Sequence, residues 1–314
     1  MTKYVVRRLL LAIPTMLLVT VFAAGLIRLV PGDAVLAKVA EAGKPADLEK
    51  VRHELGLDVS FPRQLLNFFG GLLTGDPGKS LYSSRPVAGE FFRALPVTVE
   101  LGLFAMVTSV LIAIPLGVIS AVRADSITDH ASRVFAIVGL ATPDYWLGTV
   151  LVVYLSLYLG YLPAIGYRTL VSDPLANLSQ IYLPALILGY RLAGVSIRMM
   201  RSTMLDVLNQ DYIRTARAKG LTGFRVITFH AMKNALIPVV TIIGTQVGFI
   251  FGGSVILESI FGLPGIGLLT FSAIQQRDYT QIQFNVVILA TLLVLTNLLV
   301  DVIYGFLDPR IRYS

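Results

Sequence analysis

Between Asp206 and Asn234 the chain reads, from Leu208 onward, LNQDYIRTARAKGLTGFRVITFHAMKN, a polar and basic stretch in a sequence otherwise built of long apolar runs. Tyr212 to Lys219 consists of residues that a helix accepts, Gly220 is a helix stop, and a second helical pattern starts at Phe224 and continues into the apolar run that follows. A helix, a glycine turn and a helix between two apolar runs form a docking element if those runs cross a membrane, because the element is then held outside the bilayer.

The composition says that they do. Hydrophobic residues make up 55% of the 314 residues and charged residues 14%, whereas a soluble domain carries about 25% charged residues. Bilayer hydrocarbon is about 30 Å thick and a helix rises about 1.5 Å per residue, so runs of about 20 apolar residues are the unit to count. Six are present, at Leu9 to Val30, Pro96 to Val122, Val134 to Leu162, Ile181 to Met204, Ile237 to Leu257 and Phe284 to Phe306. The expected fold is all-α: a polytopic membrane helix bundle of about six transmembrane helices, as one domain over residues 1–314. The first helix is expected at 9–30, an outer segment at 31–95, core helices over 96–306 and the polar loop at 205–236.

The net charge of +7 would suggest nucleic acid in a soluble chain, but in a membrane chain the placement of basic residues reports topology instead. From Arg191 to Leu236 there are eight basic residues against Asp206 and Asp211; Lys3, Arg7 and Arg8 precede the first run, Arg123 and Arg133 bound a short loop, and Arg310 and Arg312 follow the last run. All four segments fall on one side of six alternating helices, which by the positive-inside rule puts both termini in the cytoplasm. The opening MTKYVVRR with its apolar run is also similar to a secretory signal peptide. The run is long enough to span and ends at Arg28 and Pro31 without a small-x-small cleavage site, so it is expected as a retained first helix.

The outer segment Pro31 to Leu95 balances eight acidic with eight basic residues. Ala46 to Leu55 has helical character. Phe61 to Leu73 carries an apolar stripe that fits either a cap packed on the bundle or a helix lying in the membrane surface. In FGLPGIGLL, from Phe261 to Leu269, the glycines and Pro264 interrupt helix. The segment is either a buried turn or a re-entrant gate, with Phe261, Pro264 and Gly265 as candidate outer-gate residues.

Little catalytic chemistry is available. The absence of cysteine excludes disulfides and thiolate ligands, the histidines His53, His130 and His230 are scattered, and no serine or carboxylate constellation suggests catalysis. Gly78, Lys79 and Ser80 spell the end of a phosphate-binding loop, but Leu73 stands where that loop needs glycine. Asp144 and Arg191 lie about ten residues into the third and fourth runs from opposite sides, at a depth of ~15 Å, so they can meet. They are either an ion pair joining two helices or a site for the opposite charges of a zwitterionic solute. With Gln246 they are the candidate pathway residues, and an ion-coupled carrier or channel running through them is the alternative to a partner-driven transporter.

Several phrases in order along the chain carry a family resemblance: YVVRRLLLAIPTMLLVT at the start, VPGD at Val30 to Asp33, LGLD at Leu55 to Asp58 and GDPGKS at Gly75 to Ser80. They continue with ATPDYWLG at Ala141 to Gly148, RSTMLDVLNQDYIRTARAKGL at Arg201 to Leu221 and GGSVILESIFGLPGIGLL at Gly252 to Leu269. Together they resemble the inner-membrane permease subunits of ABC importers, in the oligopeptide, dipeptide and nickel branch. The resemblance implies a type I ABC importer permease fold in the bacterial inner membrane, surrounded by lipid, with no cofactor on this chain and no nucleic-acid partner. It also implies a second homologous permease, two cytoplasmic subunits that hold Mg-ATP, and an extracytoplasmic solute-binding protein. The chain is then a non-catalytic subunit, and peptides, nickel chelates, glutathione and opine-like compounds remain open as solutes.

In that superfamily a coupling helix is marked by Glu-Ala-Ala, three residues, Gly, nine residues and Ile-x-Leu-Pro. Alignment on Gly220 sets Arg214, Thr215 and Ala216 on the first three positions. Ala216 and Gly220 match, whereas His230 to Lys233 replace the final four. The resemblance implies coupling to the ATPase through Leu208, Tyr212, Ile213, Arg214, Ala216, Arg217, Lys219 and Gly220. An amphipathic helix is expected to present Leu208, Tyr212, Ile213 and Ala216 to a groove on the partner.

Overall fold

The computed structural model describes residues 2–29, 58–160, 166–253 and 255–307. The expected helix at Ala46 to Leu55 lies outside the described residues. In chain order the helices are α1 (Thr2–Leu29), α2 (Phe61–Thr74), α3 (Val87–Val122), α4 (Ile127–Ala141), α5 (Asp144–Leu159), α6 (Pro174–Leu208) and α7 (Asp211–Ala218). There follow α8 (Gly223–Arg225), a π-helical segment (Val226–Ala231) that runs on into α9 (Met232–Gly253), then α10 (Val255–Phe261), α11 (Ile266–Gln275) and α12 (Tyr279–Leu307). Among the described residues the one extended pairing is an isolated bridge between Lys79 and Pro86.

Four helical stretches are individually long and apolar enough to cross a bilayer: α3, α6, the run 223–248 and the run 279–300. α1, at 28 residues, also has the length. The third predicted span is not one rod. α4 and α5 meet at a 99° bend, because Pro143 cannot supply a helical N–H and forces the residue before it out of the helical region. Thr142 accordingly sits at ψ 122° and Pro143 at ψ 132°. The expected continuous helix Val134 to Leu162 is thus replaced by two shorter helices. FGLPGIGLL is likewise a break, with α10 ending at Phe261 and α11 starting at Ile266.

Two compact units can be described separately, one of Met1–Val97 with Pro264–Val302 and the other of Thr98–Leu263 with Ile303–Ser314. In the first, Val87, Phe91, Ala94, Ile266 and Phe284 form a buried cluster, with the Phe91 and Phe284 rings edge to face at 5.6 Å. α2 packs by Leu72 on that cluster while Leu66 and Leu73 stay exposed. The GDPGKS phrase has a structural use here. Ser80 donates its hydroxyl to Asp278, whose other carboxylate oxygen accepts from the N–H groups of Leu81, at 3.1 Å, and Gln281, at 3.2 Å. Asp278 thereby caps α12 and holds the 80–81 turn.

In the second unit α6 is the central helix, with 72% of its apolar window buried. Small residues let its neighbours approach closely. A Cβ on Gly189 would meet Ala105 O at 2.6 Å, and one on Gly194 would meet Ala136 O at 2.7 Å, so α3 and α4 lie directly against α6.

Candidate functional site

α6 ends at Leu208, and Gln210, in an extended conformation, turns the chain into α7. Eight residues make a helix too short to be stable alone, and its apolar edge anchors it. Ile213 and Ala216 are buried with Met200 and Met204 of α6, Val226 and Ala231 of the π-helical segment, and Ala235 and Val239 of α9. Leu208 and Leu221 pack on the same cluster. Of the residues expected to enter a partner's groove, Leu208, Ile213 and Ala216 therefore point inward, and Tyr212 is exposed. Leu208, Ile213 and Ala216 hold α7 on its own bundle, and the outward face consists of Asp211, Arg214, Thr215, Arg217, Ala218, Lys219 and Gly220. Tyr212 is partly exposed and its phenol accepts a hydrogen bond from Asn234 Nδ2 at 2.8 Å. Arg214 and Asp211 approach to 3.4 Å, but both are largely in solvent, so this pair constrains little.

Gly220 ends the element at φ +79°, in the left-handed region. The chain then re-enters the bundle through α8 and the π-helical turn, whose wider spiral puts Val226 and Ala231 on the buried cluster. Thr203 Oγ1 of α6 donates to Ala235 O of α9 at 3.0 Å, so the helices before and after α7 are tied directly to each other.

Three further sets of polar contacts lie along α6. In the chain just before it, the Tyr167 phenol donates to Glu100, Asn177 Nδ2 donates to Arg168 O at 2.9 Å and Gln180 Nε2 to Gly166 O at 2.8 Å. Burial first, and then the Glu100 carboxylate, hold the Tyr167 phenol above its ordinary pKa. In the middle of α6, Arg191 Nη1 lies 2.9 Å from Asp144 Oδ2. The two candidate charges do meet, although Asp144 is in the first turn of α5 after the Pro143 break rather than in mid-helix. Further along, Arg201 donates from Nε and Nη2, each at 2.7 Å, to the two oxygens of the fully buried Asp129, which also accepts from Ser120.

No spacing in the sequence links Arg201 to Asp129, which lie 72 residues apart. The only local trace of the fork is the Ser126 cap, which accepts from Asp129 N at the start of α4.

The other candidates are placed differently from expectation. Gln246 is buried between α9 and α6, donating to Leu192 O at 3.0 Å, and does not line an open face. Phe261 is buried at the end of α10, so it has no free side chain to act as a gate. Pro264 is exposed, and Gly265 is the extended residue that precedes α11. Among the described residues no group of three or more His, Asp or Glu side chains is arranged to hold a metal ion.

Comparison with known proteins agrees with this architecture. Residues 113–313 match the family of binding-protein-dependent transport system inner membrane components, and residues 1–102 match the N-terminal region of such components. The chain is 39% identical, over its whole length and the whole of each relative, to the dipeptide transport system permease protein DppB of Escherichia coli K12 and to the di/tripeptide permease DppB of Pseudomonas aeruginosa. It has the same identity and coverage with a putative peptide transport system permease protein of Brucella abortus. A structure of the MetNI methionine ABC transporter in inward-facing conformations matches 70% of this chain and 96% of its own chain, with a TM-score of 0.56 at 18% identity, a likeness of fold. This chain belongs to the binding-protein-dependent transport inner-membrane components, as a non-catalytic permease subunit of an ATP-driven importer.

Proposed function

We propose that this chain forms one half of the translocation pathway of a peptide importer in the bacterial inner membrane. It pairs there with a second, similar permease, is driven by two ATP-binding subunits that carry Mg-ATP, and is fed by an extracytoplasmic solute-binding protein. The peptide class rests on the relatives named as dipeptide and di/tripeptide permeases. The basic residues around α7 support a cytoplasmic position for that end and, with it, for both termini. The outer-segment residues around Ser80 and the α11–α12 turn at Asp278 are the surface offered to the binding protein, and Asp144 and Arg191 border the solute's path.

The observation that carries the coupling reading is the division of α7 into a buried apolar edge and a bare charged face. An element that must pass on a rigid-body stroke has to be fixed to the helices it moves and open to the subunit that pushes it. Ile213 and Ala216 supply the fixing, while Arg214, Arg217 and Lys219 supply the contact with the ATPase. Arg214→Glu combined with Arg217→Glu tests this in the complex purified from membranes. The expected result is a loss of roughly tenfold or more in uptake and in recovery of the ATP-binding subunits, with the amount of this chain in the membrane unchanged. Full uptake by the double variant overturns the reading.

A further inference from the structure

From Ile187 to Asp206, α6 is covered almost all round, and the residues left exposed are Arg191, Arg198, Ser202 and Asp206. At about 100° per residue these positions, with the half-buried Val195 between them, fall in one stripe about 80° wide. Over this stretch the stripe is a single open seam, whereas one turn earlier Tyr182 and Leu186 are exposed on another face. Arg191 is already half neutralised by Asp144, yet its side chain remains 45% exposed. Arg198 has no ion pair or side-chain hydrogen bond among the described residues. It lies about 10 Å further along the helix than Arg191, at about 1.5 Å per residue, and six residues before the end of the apolar run at Met204, toward the inner end of the span.

A guanidinium without a partner there keeps its charged end in water, at the interface or along a wet face of the bundle, and not among lipid tails. Resting on the reading of this chain as half of a peptide pathway, we infer that the Arg191–Val195–Arg198–Ser202 seam lines an aqueous passage and that Arg198 receives the free carboxylate of the passing solute. The planar guanidinium presents two parallel N–H donors to a carboxylate, and among the described residues no acidic group pairs with Arg198. Arg191, balanced by Asp144, offers a weaker step before it. Two steps of modest strength suit passage better than one tight site, because a solute held firmly would not leave.

The chain contains no cysteine, so a single replacement adds the one thiol of this subunit, and the unsubstituted complex gives the background from its partners. In the complex purified with its partner subunits, Val195→Cys and Ser202→Cys are treated with the anionic sulfonatoethyl and the cationic trimethylammonioethyl methanethiosulfonate reagents, and Ile197→Cys serves as the buried control. The passage predicts that both seam positions react and the control does not, with the anionic reagent faster by about tenfold. The ratio of the two rates is informative because a shift in thiol reactivity affects both reagents alike. Adding Arg198→Gln should bring the ratio to within about twofold, and Arg198→Lys should preserve it.

In the same complex, Arg198→Gln should reduce uptake of dialanine about tenfold while leaving its C-terminal amide nearly unchanged. Three results overturn the proposal: seam cysteines inert to both reagents, as a face covered by lipid or by the second permease would be; a rate ratio near one with Arg198 present; or equal losses for the acid and the amide. If the unmodified complex takes up neither dipeptide, the peptide reading fails, and the reagent ratio still decides whether the seam is wet and anion-selective.

Discussion

Arg198 and Arg201 are three residues apart on α6 and in opposite circumstances. Arg201 is clasped by both oxygens of Asp129, and Asp129 is completed by Ser120 and the Asp125 N–H. Arg198 stands open, without a partner among the described residues. Three residues rotate a helix by about 300°, which is enough to carry a side chain from the open seam into the contact with α4. The same contrast recurs one element later, where Ile213 is buried and Arg214, its neighbour, is in solvent. A charge inside a membrane helix therefore does not declare its role by type. Its rotation about the helix axis decides whether it fastens the bundle or faces what passes.

The contrast is broken most directly by removing each arginine in turn. Arg201→Met strands the Asp129 carboxylate, and loss of one partner of a buried pair costs about 3–5 kcal/mol. The expected result is a sharply lower thermal midpoint of the detergent-solubilised chain and little of it in the membrane. Arg201→Lys should recover part of the loss, because an ammonium cannot make the fork. Arg198→Met, at an open position, should change stability by no more than about 0.5 kcal/mol. Similar losses from the two methionine variants would show that Arg198 is also a fastener.

A smaller effect sharpens the same division on α7. Ile213 is fully buried in the cluster that joins α6, α7 and α9, and Ile213→Ala should cost about 2–4 kcal/mol by removing buried carbon and leaving a cavity. Since α7 is held by that contact, uptake should fall with stability. Unchanged stability of Ile213→Ala, measured by the same thermal scan, would mean that α7 is not anchored as described.

How far the sequence could be read follows from these contrasts. The apolar runs located the long helices, and the helix, Gly220 turn and second helix around 212–224 were legible because each depends on local chemistry. The break at Thr142–Pro143 was equally local, since proline announces it, but the long apolar run around it made a single span look sufficient. The inward face of α7 was not legible. Ile213 and Ala216 define an apolar edge, but whether that edge meets a partner or its own bundle depends on Met200, Met204 and Val226, which no spacing rule links to it. Gln246 and Phe261 were misplaced for the same reason, because the polarity or bulk of a residue in a span does not fix its rotation. Asp144 and Arg191 could be paired because two opposite charges in neighbouring spans have few other ways to be neutralised. Asp129 and Arg201 obey the same logic, but Asp129 stands between Arg123 and Arg133, which bound a short loop and not an apolar run.

The smallest effect expected concerns Gly220, and here the molecule contains its own control. Gly220 and Gly223 both have open space where a Cβ would stand, with nothing within 4 Å, and among their differences is the backbone angle, φ +79° at Gly220 alone. A side chain at Gly220 therefore meets no neighbour but must adopt the left-handed conformation, at about 1–2 kcal/mol for an ordinary L-residue. At Gly223, in the first turn of a helix, alanine is neutral or slightly stabilising. Gly220→Ala should lower the thermal midpoint by a few degrees and Gly223→Ala should not, while Gly220→Asn, which tolerates the left-handed region, should lie between them. Equal responses from the two alanine variants would mean that the turn after α7 relaxes freely. In that case the rigidity of the coupling element would rest on the buried edge of Ile213 and Ala216 alone.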